Sequence, residues 1–522
     1  MKKNGMFYGA VVLTIAGLIS KFLGAFYRVP LLAILGSEGL GMYQLVFPIF
    51  ALMLVVGSSG VPLTLSKQIS SLEKENEHKK AVQLFRLVVL EVCIFSSLLA
   101  LAFVGVGFLI SPLQGNDSLR LCYFVLFPAL ILSCILSCFK GYYQGLNNML
   151  PSSITQVCEQ FFKLVFSILL ASLFIKKSLI LAVFGALMGI SISEIVSLLI
   201  MLFIYYKKDV NHETLSFNKT EKKQLLKNFN KELFPITFSN VITPLFCAID
   251  SILIVGLLSN AGFNSEIATR LFGINNGMIA SLISLPTVLS TALATSVVPV
   301  INNSDEAESN EIIKISFKII FMFCLPIALL YVFFGNEIAV FMYSSLNISG
   351  VNQVSIAGSL LKINGINTFY MSFIALSTCI LQIKNKSKTA IKNLLLGSVV
   401  KLVLSVVLVS NSKFNIYGLA ISDVVGLSLT CVKNLYDVKN IYPIHLTVKE
   451  GIFVPVLSCS LTIIIMKCLE SVCYSVLPNK MDFIALILLG VLTYIVCVIS
   501  LKSFSREELS RLTNKNGEKK AN

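Results

Sequence analysis

Basic side chains stand inside apolar segments of this chain, where an ionisable group is costly and usually functional. Lys21 and Arg28 lie seven residues apart in the first apolar segment. Seven residues span about two helical turns, so both side chains are expected on one face, roughly 10 Å apart in height. Two cations on one face predict a binding site for a polyanion such as a diphosphate. The alternative is that both snorkel to the membrane interface, with Glu38 as a local counter-ion.

A second polar stripe consists of Gln156, Glu159 and Lys163 in a later apolar segment. Intervals of three and four residues place the three side chains on one face of a helix. This stripe is predicted to line the same binding site. Glu159 precedes Lys163 by four residues, the favourable orientation for an ion pair, so a structural, self-neutralised pair is the alternative.

Further charges lie in apolar surroundings. Asp250 and Glu194 each stand within an apolar segment. Asp250 is a candidate ligand for a sodium ion, because hard cations prefer oxygen ligands. Arg270 opens another segment within Ala-Thr-Arg-Leu-Phe-Gly, where the residues alone predict an ordinary interface anchor.

The composition is typical of a membrane protein. Hydrophobic residues make up 56% of the 522 residues, charged residues 13%, and the mean hydropathy is +0.83. A soluble chain of this length would carry a far more charged surface. About 14 apolar runs are long enough to cross a bilayer as helices. The chain is therefore predicted to be an all-α polytopic membrane protein, with these runs at 8–35, 41–66, 85–111, 119–140, 154–175, 179–205, 234–258, 269–299, 312–334, 354–380, 392–410, 415–434, 451–469 and 482–501.

The formal net charge of +15 is distributed unevenly between the predicted loops. About 27 Lys and Arg residues fall on one side and about five on the other, which by the positive-inside rule places both termini in the cytoplasm. We expect the basic segments to lie against anionic phospholipids. This distribution argues against a nucleic-acid partner.

An internal duplication is indicated by similar segments at an offset of 238 positions. Lys163 and Lys401 open Lys-Leu-Val-Phe-Ser-Ile-Leu-Leu and Lys-Leu-Val-Leu-Ser-Val-Val-Leu, and Pro48 corresponds to Pro286. Duplicated halves in a membrane protein are typical of transporters. The predicted parts are an N-lobe of six spans at 1–205, a cytoplasmic interfacial linker at 206–233, a C-lobe of six spans at 234–440, two more spans at 441–501, and a basic tail at 502–522.

The second copy of the stripe differs from the first. Gly397 replaces Glu159, so Lys401 needs another partner, and Asp423 on the neighbouring predicted helix is the candidate. This predicts a structural ion pair in the second half.

Residues for covalent or metal chemistry are scattered. The 13 cysteines include no Cys-x-x-Cys, the three histidines form no ligand cluster, and no phosphate-binding loop is present. The chain is predicted to be neither an enzyme nor a metalloprotein, and no cofactor is expected. The energy for transport would come from the membrane potential, from the substrate gradient, or from coupling to Na⁺ or H⁺.

Four segments resemble the signature of the stage V sporulation protein B family. They are SKFLGAFYR at 20–28, KGYYQGLNNMLP at 140–151, QVCEQ at 156–160 and LSTAL at 289–293. That family belongs to the polysaccharide-transporter branch of the multidrug, oligosaccharidyl-lipid and polysaccharide exporters, and is similar to the lipid II flippases. The resemblance implies two six-helix lobes around a central cavity, alternating access, and an undecaprenyl-diphosphate-linked sugar as substrate, with the spore cortex as a candidate destination.

The resemblance also implies roles for particular residues. Lys21 and Arg28 occupy places comparable to basic residues on the first span of the lipid II flippases, although the first is lysine and the spacing is one residue longer. Arg270 matches an arginine of their eighth span and becomes a candidate diphosphate contact, but Thr269 stands where they carry an aspartate.

The predicted function is export of a lipid II-like precursor across the cytoplasmic membrane, with cell-wall synthesis enzymes as further candidate partners. One alternative is a cation-coupled multidrug exporter of the same fold. Such a site should favour acids and aromatic cages, whereas the buried charges here lean cationic and the chain has no tryptophan. The other alternative is a non-transporting scaffold for wall synthesis, which would need no duplicated cationic cavity.

Overall fold

The computed structural model describes residues 2–208, 218–303, 305–343, 351–384, 386–442, 453–476 and 480–501. Every regular element in these ranges is a helix, which confirms the predicted all-α class. The basic tail predicted at 502–522 and the middle of the predicted linker, 209–217, lie outside the described residues. A π-helix at Gly273–Ile279 joins α10 to α11, and the α-helices are α1 (Lys2–Phe26), α2 (Arg28–Ser58), α3 (Val61–Lys74), α4 (His78–Ile110), α5 (Leu119–Val125), α6 (Phe127–Gly145), α7 (Leu150–Phe174), α8 (Leu179–Lys208), α9 (Lys219–Asn260), α10 (Ser265–Phe272), α11 (Ala280–Asn303), α12 (Glu306–Tyr343), α13 (Val351–Asn364), α14 (Asn367–Ile383), α15 (Ser387–Val409), α16 (Asn415–Lys439), α17 (Val454–Val476) and α18 (Lys480–Ser500).

The described part of the chain contains 11 helices that are long and apolar enough to span a membrane, or 12 if the bent pair Gln353–Asn364 and Asn367–Ile383 is one span. A multi-pass membrane protein is therefore confirmed, but the predicted count of 14 is not. Val12–Lys74 forms one run of helix, so no loop separates the spans predicted at 8–35 and 41–66. The chain changes direction within that run at Gly36, where φ is 65° and a side chain would be strained.

The predicted linker is the start of a long helix. Asn218 forms a capping box with Glu221, and α9 then continues for 42 residues into the seventh predicted span. The apolar side chains in the first turns of α9 are partly buried, and Phe229 is only 1% exposed. Asn230 Nδ2 donates to Glu91 Oε1 of α4 at 2.6 Å. The described end of the linker, at the start of α9, therefore packs against α4.

The chain divides into two compact units. The first comprises Met1–Ser281 with Leu402–Leu419, and the second comprises Leu282–Lys401 with Ala420–Asn522. The lobe boundaries drawn from the duplication, at 205 and 234, stay a prediction. All seven residues predicted to bind substrate or an ion belong to the first unit.

The first unit is held together by close helix crossings. Helix α7 packs along α8 and against α1, and α2 packs against α8, α9 and α10. Gly41 of α2 lies so close to α10 that a Cβ there would overlap the Thr269 carbonyl oxygen. Small residues at such crossings let helix backbones approach each other in a membrane protein.

The second unit has its own apolar core, between α11, α12, α14, α15 and α16. Its helices α12, α17 and α18 enclose an apolar cavity of about 430 Å³, which Phe323, Met466 and Tyr494 help to line. Gly397 and Gly426 bring α15 and α16 together. Beside that crossing Lys401 Nζ lies 2.6 Å from Asp423 Oδ1, which confirms the predicted ion pair.

Candidate substrate-binding site

Arg28 stands at the junction of the first two helices. Helix α1 ends at Phe26 and α2 begins at Arg28, so the two predicted cations lie on successive helices rather than on one. Lys21 is exposed on α1, whereas Arg28 is partly buried and its Nη1 donates to Ser281 Oγ at 3.0 Å. The two basic side chains therefore have different surroundings.

Lys163 of α7 reaches the same junction from the other side. Its Nζ lies 5.5 Å from the ring centroid of Tyr27 and 5.0 Å from that of Phe47. Cations over aromatic rings are attracted by the ring quadrupole, but the ring does not neutralise the charge. We call Arg28 and Lys163 the cation pair, because they flank Tyr27 and repel each other.

Neither member of the cation pair forms a salt bridge with a described carboxylate. Glu159 and Glu194 act on Lys163 only from beyond salt-bridge distance. The one side-chain hydrogen bond that Arg28 forms among the described residues is with the neutral hydroxyl of Ser281. Two partly buried positive charges in a membrane segment are expensive unless a counter-ion arrives. The arrangement can therefore bind an anion.

The other members of the stripe have structural partners. Glu159 Oε2 accepts from Lys140 Nζ of α6 at 3.0 Å, and Gln160 Nε2 donates to Glu159 Oε1 at 3.2 Å. The Glu159–Lys163 salt bridge weighed as an alternative is not formed, because α6 brings Lys140 to that carboxylate. The Gln156 carbonyl oxygen accepts from Ser20 Oγ at 3.2 Å, which ties α7 to α1.

Lys140 was missed as a partner by sequence reasoning. It ends the apolar run predicted at 119–140, and the structure continues α6 past it to Gly145, with the Lys140 side chain 21% exposed. Glu194 of α8 was noted only as a mid-span acid, yet it lies near Lys140, Glu159 and Lys163. Its position within an apolar run was the available signal.

Arg270 is engaged by carboxylates. Its Nε and Nη2 donate to Glu38 Oε2 at 3.0 and 2.8 Å, and Nη2 also contacts Glu266. Asn264 caps the short helix that carries it, accepting from Ile267 N at 2.8 Å. Glu38 is thus the counter-ion of Arg270 and not of Arg28.

Asp250 lies buried in α9, with 6% of its surface exposed. No group of three or more acidic, histidine or cysteine side chains in the described residues could hold a metal ion. The sodium site at Asp250 stays a prediction.

Comparison with known proteins identifies the family. The sequence profile described as "Polysaccharide biosynthesis protein" matches residues 7–305, more than half of the chain. The chain belongs to this family. Its relatives include stage V sporulation protein B of Bacillus subtilis, 24% identical over 464 residues that cover 86% of each chain. The lipid II flippase MurJ of the same organism is 23% identical over 430 residues, 77% of each chain.

Solved structures agree with this assignment. A lipid II flippase MurJ in an inward closed conformation matches with a TM-score of 0.71 and 18% identity, over 94% of this chain and 99% of that one. An inward-facing multidrug resistance MATE family transporter matches with a TM-score of 0.61 and 14% identity, over 83% and 98% of the two chains. The fold is that of these transporters, and the predicted resemblance is confirmed. Relatives whose names state an activity are transporters, which agrees with the prediction that the chain is not an enzyme.

Proposed function

We propose that this protein is a flippase that moves an undecaprenyl-diphosphate-linked sugar, such as a lipid II-like peptidoglycan precursor, across the cytoplasmic membrane. The observation that carries the proposal is the cation pair. Arg28 and Lys163 lie in membrane helices of one unit without a salt bridge to a described carboxylate. A diphosphate supplies the missing negative charge.

The two cations have complementary chemistry. The Arg28 guanidinium has five N–H donors in a planar fork, and the contact with Ser281 leaves most of them for phosphate oxygens. The Lys163 ammonium is a compact charge that rests over Tyr27 and Phe47 and can meet the second phosphate. Charge-assisted hydrogen bonds to phosphate are strong, so the cation pair would hold the diphosphate head group without forming a covalent bond.

Two other predicted residues have secondary roles in this proposal. Lys21 is exposed on α1 and would attract the anion before it binds. Arg270 would exchange Glu38 and Glu266 for the substrate, because its fork already binds carboxylate oxygens. Glu159 would hold α6 in register with Lys163 rather than touch the substrate, whereas Gln156 meets α1 through its backbone carbonyl and would contact the substrate with its side-chain amide.

The physical reason for such a carrier is the cost of dehydration. A sugar diphosphate crossing the hydrocarbon core unaided would lose its hydration at a cost of many kcal/mol. A polar site exposed to each side in turn avoids that cost, and this alternating access is the proposed mechanism.

The proposal is tested in proteoliposomes. Purified protein is given lipid II and, separately, other polyprenyl-diphosphate sugars, and translocation is measured from each lipid's accessibility on the far side. Arg28→Ala should abolish translocation, and Arg28→Lys should retain part of it, since lysine keeps the charge but loses the fork.

The same liposomes test the alternatives. A folded Arg28→Ala, Lys163→Gln double variant that still translocates would overturn the proposal. Transport of a cationic dye instead of any lipid-linked sugar would favour the multidrug exporter. A protein that moves neither, but assembles with wall-synthesis enzymes, would favour the scaffold.

A further inference from the structure

Glu194 is a carboxylate that the proposed binding step does not use. It lies on α8 with 5% of its surface exposed, and its Oε2 atom is buried without a hydrogen-bond partner. Ser133 of α6 lies beside this carboxyl group, but its buried hydroxyl oxygen, like that of Ser197 one turn along α8, meets no partner at full hydrogen-bond geometry. Buried polar groups in proteins are nearly always satisfied, so these three atoms need an explanation.

The charges around Glu194 come from the two helices that pack most closely against it. Helix α6 contributes Lys140 and the thiol of Cys134, and α7 contributes Glu159 and Lys163. Helices α2 and α5 also pack on α8. Arg28 and Tyr43 of α2 and Tyr123 of α5 interact with residues other than Glu194.

Arg28 of α2 repels Lys163, and Tyr43 interacts with Tyr27 and Arg28. Tyr123 of α5 donates to Gln114 Oε1 at 2.9 Å. Glu194 thus faces one ion pair, Lys140 with Glu159, and one cation without a salt bridge to a described carboxylate, Lys163.

The two protonation states of Glu194 would have different consequences. The neutral acid has an O–H that can donate to Ser133 Oγ, which completes two unsatisfied groups at once. The ionised acid would leave a buried anion beside Glu159, but it would offset part of the charge of Lys163. The protonation of Glu194 therefore sets how much positive charge the cation pair presents to an anion.

We infer that Glu194, with Ser133 and Ser197, is a proton-binding site whose occupancy controls the affinity of the cation pair for the diphosphate. This inference rests on the proposed function and adds its coupling ion. Protonation of Glu194 removes one of the two carboxylate charges near Lys163, so the anion binds more tightly. By linkage, binding of the anion must draw a proton onto Glu194. A sodium ion is disfavoured, because hard cations need more oxygen ligands than one carboxylate and two hydroxyls.

The test uses the full chain in lipid nanodiscs. The probe is a polyprenyl-diphosphate monosaccharide, whose diester phosphates do not titrate near neutral pH. Its affinity is measured between about pH 5 and pH 9. Wild type should bind more tightly as the pH falls, by up to about tenfold if binding shifts the Glu194 equilibrium by one unit. In weak buffer, binding should take up as much as one proton.

Two variants isolate the carboxyl group. Glu194→Gln mimics the neutral acid, so its affinity should stay high, and the part of the pH dependence and of the proton uptake that belongs to Glu194 should be lost. Glu91→Gln is the matched control, because Glu91 Oε2 is also buried without a partner while its other oxygen accepts from Asn230. That control should keep the pH dependence of wild type. Unfolding temperatures of all three proteins report whether each is folded.

The outcomes separate the two proposals. Absence of probe binding at every pH would contradict the proposed function itself. Binding of the probe without proton uptake by wild type would overturn the inference alone, even if Glu194→Gln failed to fold. A pH dependence that is as large in Glu194→Gln as in wild type, or an affinity that follows Na⁺ concentration at constant pH, would overturn it as well.

Discussion

At the residue scale, the ion pairs of the first unit decide which charges remain for a ligand. Lys140 Nζ and Glu159 Oε2 are 3.0 Å apart, and both side chains are about four-fifths buried. Removing one partner leaves an uncompensated charge in a low-dielectric site, whereas removing both leaves none. Lys140→Gln and Glu159→Gln should each destabilise the protein by up to about 3 kcal/mol, and the double variant by less than either. Thermal unfolding in detergent measures this, and additive effects of the two changes would contradict the pairing.

The two lysines that the predicted duplication relates have different surroundings. Lys163 lies over two aromatic rings, while Lys401 pairs with Asp423. We expect Lys163→Gln to weaken binding of a polyprenyl diphosphate by about tenfold or more, because it removes a direct charge contact. Lys401→Gln should chiefly lower the unfolding temperature. Equal losses of affinity in the two variants would show that the cation pair has no special role.

At the element scale, the crossing of α2 with α10 determines where Arg270 and Glu38 meet. A Cβ on Gly41 would collide with backbone of α10, which cannot move as a flexible side chain can. Gly41→Ala should therefore destabilise the protein by about 1–3 kcal/mol, as overpacked sites do. Gly256→Ala is the control, because a Cβ at that position in α9 meets no atom within 4 Å. Unfolding temperatures that fall equally in both variants would refute the close crossing.

At the scale of the whole molecule, the distribution of basic residues predicts orientation. Segments 67–83, 206–233 and 381–392 should face the cytoplasm, because positive loops are retained on that side. Single cysteines in these segments, in a background without reactive native cysteines, should resist an impermeant reagent added outside intact cells. Positions 176 and 413, in loops of the opposite side, should react. External labelling of the first group would reverse the topology.

The amino-acid sequence by itself determined the membrane class, the all-α fold and the family, because these follow from apolar length, charge distribution and short motifs. It also predicted the Lys401–Asp423 pair, since an uncompensated lysine requires an acid on a neighbouring helix. Periodicity relates side chains on one helix, but contacts between helices depend on their relative rotation and height. Only the tertiary structure could therefore show that Lys140 pairs with Glu159, that Arg270 pairs with Glu38, and that Lys163 lies above two aromatic rings.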